Sequence, residues 1–243
     1  DYNTAPEPQL DGRMLWWPRG KVLGGSSSIN AMCYIRGHAD DYDEWAAMGC
    51  EGWDWQSVLP YFLKSEGNTR GNSTYHNGSG PLGVSDPRYV NALTLVFLEA
   101  AEKAGFASSN DFNGAEQQGF GLYQTTTRDG KRSSSAAAYL KPVRRRGNLK
   151  VITKATASRV LFENGRASAL VYSIAGKGGF CEAAGREIIL CGGAINTPQL
   201  LQLSGVGPAN VLQPPGVPMV VDPPGVGANP QDLIAILQAM KAA

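Results

Sequence analysis

Apolar residues fall at helical spacing most clearly in one stretch. Leu93, Val96, Phe97, Ala100, Ala101 and Ala104 recur at i, i+3, i+4, i+7, i+8 and i+11, with Gly105 placed as a stop. The pattern predicts an amphipathic helix over 91–104 whose apolar side faces a core. Two shorter helices are expected before it. One runs from Asp40 or Asp41 to Gly49 with Tyr42, Trp45 and Ala46 on a shared face, and the other follows Asp54 as N-cap. Their Trp and Tyr side chains are expected to pack inward. Between Leu149 and Cys191 the period changes to that of strands: LKVIT, SRVLFE, an Asn164-Gly165 turn, ASALVYSIA, a Gly176–Gly179 turn and REIILC. Asn-Gly between two such runs is a hairpin signal, so a β-meander feeding a buried strand is predicted. In the following GGAINTPQLLQLSGVG, Thr197 suits a cap, Pro198 the first helical position and Gly205 the stop. From Asn68 to Asp86, Gly, Asn, Ser and Pro without periodicity mark a loop or a crossing between lobes. The class predicted is α/β with an inserted β-meander.

Composition narrows the function classes. The 243 residues, 42% apolar and 18% charged, suit one large or two ordinary domains with a sizeable core. A net charge of +1 supplies no field for nucleic acid or an anionic membrane, so a small-molecule partner is expected. No run of about 18 apolar residues occurs, and DYNTAPEPQ lacks the regions of a signal peptide. A cytoplasmic location is expected, with membrane association left open for a longer form. A start at Asp1 is expected of a processed or truncated product. Cys33, Cys50, Cys181 and Cys191 form no C-x-x-C pair, and neither His38 nor His76 stands at ligand spacing, so reduced thiols and no metal site are expected.

The chemistry-bearing stretch is KVLGGSSSIN. Adjacent glycines admit a close backbone approach, and successive N–H groups with serine hydroxyls can cradle a polar cofactor edge. Its flanks give it meaning: PRGKVLGGSSSINAMCYIRGHADDYDEWAAMGCEGWDW resembles the first signature of the glucose-methanol-choline (GMC) oxidoreductases, especially their choline dehydrogenase-like branch. GGAINTPQLLQLSGVGP, at Gly192–Pro208, resembles the second. With DYDEW, GWDW before LPYF, GPLGV and NLKVITKATASRVLFENGRA, the likeness extends over about 220 residues.

The resemblance implies an incomplete doubly wound FAD-binding domain and part of a substrate-binding domain. Residues 1–76 and 147–232 would belong to the first, 77–146 to the second, and 233–243 form an atypical tail. Carried over, the cofactor-binding residues are Val22, Gly24, Gly25, Ser26, Asn30, Ala31, Met32, Cys33 and, through its backbone, Ala157. Ser26 would meet the pyrophosphate and Asn30 to Cys33 the flavin, while Ala157 would meet the adenine end. Ile29 stands where some members carry the histidine that links FAD covalently, so non-covalent FAD is expected. The implied activity is oxidation of the CH–OH group of a primary alcohol, choline-like or aliphatic, by hydride transfer to flavin, with oxygen or a quinone as electron acceptor. The alternatives are a flavin-containing hydroxynitrile lyase and a catalytically inactive truncated product.

Several features are set aside. Gly78–Gly83 satisfies G-x-G-x-x-G but follows no strand, and Pro81 spoils a helix entry. The family's dinucleotide fingerprint and its proton-accepting histidine have no counterpart, so no catalytic residue is named, and His38 and His76 are expected to be surface or loop groups. Arg144-Arg145-Arg146 reads as a solvated turn, and Asp40, Asp41, Asp43 and Glu44 as groups that favour a helix dipole. VGANPQDL departs from the family pattern at Pro230 and Leu233, and the helix-prone IAILQAMKAA matches nothing. Missing sheet neighbours would leave an exposed edge, so self-association is expected.

Overall fold

The computed structural model describes residues 2–228. The atypical tail and the departures at Pro230 and Leu233 lie outside the described residues. The chain divides into two compact units, Asp1–Leu149 and Lys150–Ala243.

The first unit is made of short strand pairs and helices. Its strands are β1 (Tyr2–Asn3), β2 (Trp16–Trp17), β3 (Cys33–Tyr34), β4 (Glu66–Asn68), β5 (Leu82–Val84), β6 (Gln124–Thr125), β7 (Thr127–Arg128) and β8 (Lys131–Arg132). β1 pairs with β2, β3 with β6 and β7 with β8, all antiparallel, while β4 and β5 run parallel. The helices are α1 (Ala39–Ala47), α2 (Trp55–Ser65), α3 (Ala92–Lys103) and the short α4 (Lys141–Val143), which follows a π-helical turn at Ala136–Leu140.

Helix starts follow side-chain capping. At α1, His38 Nδ1 accepts from the Asp40 N–H at 3.3 Å, and Asp41 accepts from the His38 N–H at 2.7 Å. Asp54 accepts from the Ser57 N–H at 3.0 Å to start α2, and Asn91 accepts from the Leu93 N–H at 2.9 Å to start α3. Gly105, at φ +86°, ends α3 as the pattern predicts.

Packing departs from expectation. The apolar stripe of α3 faces outward, with Leu93 51% and Val96 59% exposed, and Ala101 is the helix's buried residue. Tyr42 is buried against the rings of Trp45, Trp55 and Phe62, with centroids 5.5–5.8 Å apart, yet Trp45, Trp53 and Tyr61 are exposed. The core is sparse: among the described residues the buried apolar side chains are Tyr42, Val84, Ala101, Ala138, Val160, Ala169 and Leu212. The sequence pattern marks which side of a helix is apolar, whereas burial needs complete cover: Phe97 meets the Phe120 ring at 5.9 Å and Trp45 the Trp53 ring at 5.8 Å, and both remain 44% exposed.

The second unit holds an antiparallel sheet in the order β11–β10–β9, from β9 (Ala155–Glu163), β10 (Arg166–Ile174) and β11 (Cys181–Ala184). Asn164 and Gly165, at φ +50° and +76°, make the hairpin turn that the dipeptide predicts. α5 (Gly193–Leu203) is tied to β9 through Ser204, whose Oγ accepts from the Val160 N–H at 2.8 Å and donates to the Leu200 carbonyl. α6 (Ala209–Leu212) follows and buries Leu212.

Two strands predicted here do not form. LKVIT and REIILC lie outside any strand, and Ile189 is 80% exposed. LKVIT reads as a strand of the meander and REIILC as the buried strand it feeds, but a strand exists only with a neighbour to exchange backbone hydrogen bonds, and no described segment supplies one. α5 also begins at Gly193, which places Pro198 inside the helix rather than at its first position. There Pro198 forgoes its own N–H bond to the preceding turn, and its ring crowds the Ala194 carbonyl.

Candidate functional site

The segment from Gly20 to Cys33 forms an open wall on the first unit. Gly24 and Gly25, at φ +90° and +55°, turn the chain into a 3-10 helix at Gly25–Ser28. Gly20 is required by contact: a Cβ there would lie 2.2 Å from the Gly25 carbonyl oxygen. At Gly25, by contrast, nothing lies within 4 Å of the Cβ position, so the backbone is bare toward solvent.

The three serines divide their work. Ser27 Oγ donates to the Gly24 carbonyl at 2.5 Å and meets Ser135 Oγ at 3.0 Å. Ser28 Oγ donates to the Leu23 carbonyl at 2.9 Å. Both hydroxyls are spent on the loop itself. Ser26 Oγ only accepts, from the Gly20 N–H at 3.2 Å, and keeps its proton for a partner outside.

Asn30 is similar. Its Oδ1 accepts from the Met32 N–H at 3.2 Å and from Arg132 at 2.8 Å, which leaves the amide nitrogen free to donate outward. Arg132 also binds the carbonyls of Ser27, at 3.2 Å, and Asn30, at 2.8 Å. Ser135 adds an N–H bond to Ser27 Oγ at 3.0 Å and a hydroxyl bond to the Gly24 carbonyl at 3.1 Å. The wall is therefore stapled by residues more than a hundred positions downstream, which no local pattern reveals. Val22 is 59% and Ile29 51% exposed, and Ala31 and Cys33 are exposed too, while Met32 turns the chain at φ +64°. An apolar rim with two spare donors fits a flat ligand with polar edges, as FAD is.

Behind the wall lies a buried charged cluster that sequence reasoning missed. Fully buried Glu66 accepts from Arg36 at 2.9 Å, from His76 Nδ1 at 3.0 Å, from Asn68 at 2.9 Å and from the Asn77 N–H at 3.2 Å. His76 Nε2 lies 2.8 Å from Asp111 Oδ2. A ring between two carboxylates satisfies both only when each nitrogen carries a proton, so His76 is an imidazolium. Asn68 Nδ2, 3.1 Å from His76 Nδ1, is a second donor converging on the same Glu66 oxygen.

The electrostatics agree with this geometry. The hydrogen bond to Glu66 raises the His76 pKa against the opposing effect of burial, with Asp111 adding to the rise. Burial is the largest influence on Glu66 and pushes its pKa up, but His76, Asn68 and Arg36 together outweigh it and hold the carboxyl below its ordinary value. His76, expected at the surface or in a loop, is 6% exposed. Its partners Glu66 and Asp111 stand 10 and 35 positions away, too far for any periodicity to link them.

Of the other residues singled out by sequence, Ala157 lies in β9, exposed, in the second unit. His38 is an exposed cap. Arg144 and Arg145 form an exposed turn, and Gly78–Gly83 leads into β5 rather than a helix, so it is not a dinucleotide loop.

The chain matches the family model described as GMC oxidoreductase over residues 4–234. It is 48% identical over 235 residues to the mitochondrial choline dehydrogenase of Homo sapiens, covering 97% of this chain and 39% of that protein. Among solved structures it is similar to pyridoxine 4-oxidase from Mesorbium loti, with 35% identity and a TM-score of 0.85, over 91% of this chain and 44% of that one. An FAD-dependent oxidoreductase from Chaetomium thermophilum gives 32% identity and a TM-score of 0.84, over 91% and 41%. The chain thus spans about two fifths of the length of the relatives it matches. With both signatures in place and the family model matched over most of its length, this chain belongs to the GMC oxidoreductase family, whose members are FAD-dependent flavoproteins.

Proposed function

We propose that this chain supplies the cofactor-facing wall of an oxidoreductase that oxidises the CH–OH group of a primary alcohol, choline-like or aliphatic, and passes the electrons on to oxygen or a quinone. The observation that carries the reading is the pair of spare donors, Ser26 Oγ and Asn30 Nδ2, on the open apolar rim of a chain 48% identical to a choline dehydrogenase. When bound, FAD supplies the acceptor for the hydride that leaves the alcohol carbon. Gly24 and Gly25 let the backbone approach the cofactor, and Ser26 donates to its pyrophosphate. Asn30, held by Arg132, orients a polar edge of the flavin beside Val22, Ala31, Met32 and Cys33, and the Ala157 backbone meets the adenine end. Residues 1–76 and 147–232 act in this reading as parts of the FAD-binding domain and 77–146 as part of the substrate-binding domain. The alcohol proton needs an acceptor from outside the described residues: His76 is saturated by two carboxylates and His38 is occupied as a cap.

Titration of FAD with the chain tests this reading through flavin fluorescence. Saturable quenching is expected, with binding at least ~10-fold weaker in Gly25→Val, equivalent to about 1.4 kcal/mol. Acid precipitation should release the flavin, and choline should leave it unbleached under anaerobic conditions. Absence of saturable binding by the unmodified chain would overturn the proposal. The outward side of α3 also supports self-association, against which a monomer mass by light scattering would count.

A further inference from the structure

The charged cluster and the wall are joined by a continuous set of hydrogen bonds through β3. Asp111 takes His76 Nε2 on Oδ2 and the Asn113 N–H, at 3.0 Å, on Oδ1. The buried Asn113 side chain accepts from the Arg36 N–H at 2.8 Å and donates to the Tyr34 carbonyl at 3.1 Å. Asn113 thus continues the pairing where the β3–β6 register, Cys33 with Thr125 and Tyr34 with Gln124, comes to its end. β6 is bound to the same cluster: the Gln124 side chain exchanges hydrogen bonds with Asn68 at 2.9 and 3.1 Å and donates to Asp86 at 3.1 Å. The Thr126 N–H completes the link by donating to the Met32 carbonyl at 2.8 Å. Arg36, three residues past the wall, is fixed at its far end by Glu66 at 2.9 Å and the Tyr75 carbonyl at 2.8 Å.

We propose that His76, bridging Glu66 and Asp111, is the positioning residue of the cofactor-facing wall: through Asp111 and Asn113 on one side, and Glu66 and Arg36 on the other, it sets the order of residues 30–36. The proposal rests on the reading that this wall faces FAD. His76 does not touch the wall and acts only through the residues named. The charged groups around it are Glu66 and Asp111 in direct contact, Arg36 on Glu66, Arg70 at 3.9 Å from Asp111, and Asp86 paired with Arg70 at 2.7 Å. Loss of the ring proton leaves an acceptor nitrogen facing an acceptor-only carboxylate. The bridge is then broken at Asp111 or at Glu66 and the hold on β3 relaxes.

Hydrogen exchange followed by mass spectrometry on the 243-residue chain provides the test, with each peptide corrected for its intrinsic rate. His76→Gln keeps a donor for one carboxylate only; it should speed exchange across 30–36 by about tenfold, leaving 92–103 and 155–174 unchanged. Asn113→Ala cuts the link downstream of His76. It should free 30–36 while the segment 66–77 stays protected, and it should weaken the dependence of wall exchange on pH to the part carried by Glu66 and Arg36. The unmodified chain supplies a version without mutation: between pH 6 and pH 9, exchange in 30–36 should rise as His76 loses its proton. Opening confined to 66–77 in His76→Gln, or wall exchange independent of pH in the unmodified chain, would overturn the proposal. A separate FAD titration distinguishes the two readings. If no variant binds FAD but the exchange pattern holds, the cofactor reading fails and the positioning role stands.

Discussion

The wall and the cluster behind it both consist of polar residues in loops and short strands of the first unit, yet they treat hydrogen bonding in opposite ways. In the cluster, Glu66 collects four donors, His76 two carboxylates and Asn68 three side-chain hydrogen bonds, one with Glu66 and two with Gln124, and Arg36 Nε is the one buried side-chain polar atom without a partner among the described residues. In the wall, Ser27 and Ser28 are satisfied internally, whereas Ser26 and Asn30 each hold a donor in reserve at an exposed position. A buried polar group costs free energy unless it is paired, so saturation is what burial demands. At an exposed position water satisfies a donor at no such cost, so the donors of Ser26 and Asn30 are available to a ligand without being demanded by folding.

The largest effect that could break this contrast is removal of Glu66. Glu66→Ala leaves the Arg36 and His76 cations in a dry site without their common anion. The expected loss is about 3–5 kcal/mol in the first unit, read as an earlier urea transition. A loss under ~1 kcal/mol would mean that water reaches the cluster and that the saturation is only apparent.

Neutralising His76 should cost less, because Glu66 keeps Arg36. The raised His76 pKa means that its contribution is complete below its ordinary value of 6.5 and is lost as the pH climbs through the raised one. The lowered Glu66 pKa works the other way: its contribution is complete above 4.5 and is lost as the pH falls through the lowered value. The first unit should therefore melt highest between roughly pH 4.5 and 6.5. Scanning calorimetry across pH checks this, and His76→Gln should flatten the alkaline side. A maximum near pH 8 would contradict the imidazolium assignment.

Legibility in the sequence followed the range of the interactions. The α1, α2 and α3 starts and the Asn164-Gly165 hairpin depend on residues within a few positions of one another, and local pattern placed them. LKVIT and REIILC have the right composition for strands, but a ladder is a property of two segments, so composition alone overstated them. The outward stripe of α3 teaches the same point for a helix. Within the site, the glycine-serine loop was legible because backbone freedom and close approach are local demands. Its staples, Arg132 and Ser135, and the burial of His76 were not, since they join residues 35 to 111 positions apart. The Asn68–Asp86 segment shows the cost of reading composition there: a stretch rich in Gly, Asn and Ser marked as a loop carries the end of β4, all of β5 and the cluster's histidine.

The smallest expected effects make the sharpest test, because two neighbouring serines should answer in opposite ways. Ser27→Ala removes the hydroxyl that bonds Gly24 and meets Ser135, so it should cost about 1 kcal/mol of stability and weaken FAD binding only as far as the loop loosens. Ser26→Ala removes an exposed hydroxyl whose one internal role is to accept from Gly20 at 3.2 Å. Its stability cost should stay within about 0.5 kcal/mol, as for a surface substitution, while FAD affinity falls about tenfold through loss of one hydrogen bond to a charged group, worth about 1.5 kcal/mol. Denaturation midpoints and FAD titrations on the two variants separate these outcomes. Equal losses of affinity would make the loop a scaffold whose serines are interchangeable. A loss of affinity in Ser27→Ala alone would move the donor to the position now assigned to folding.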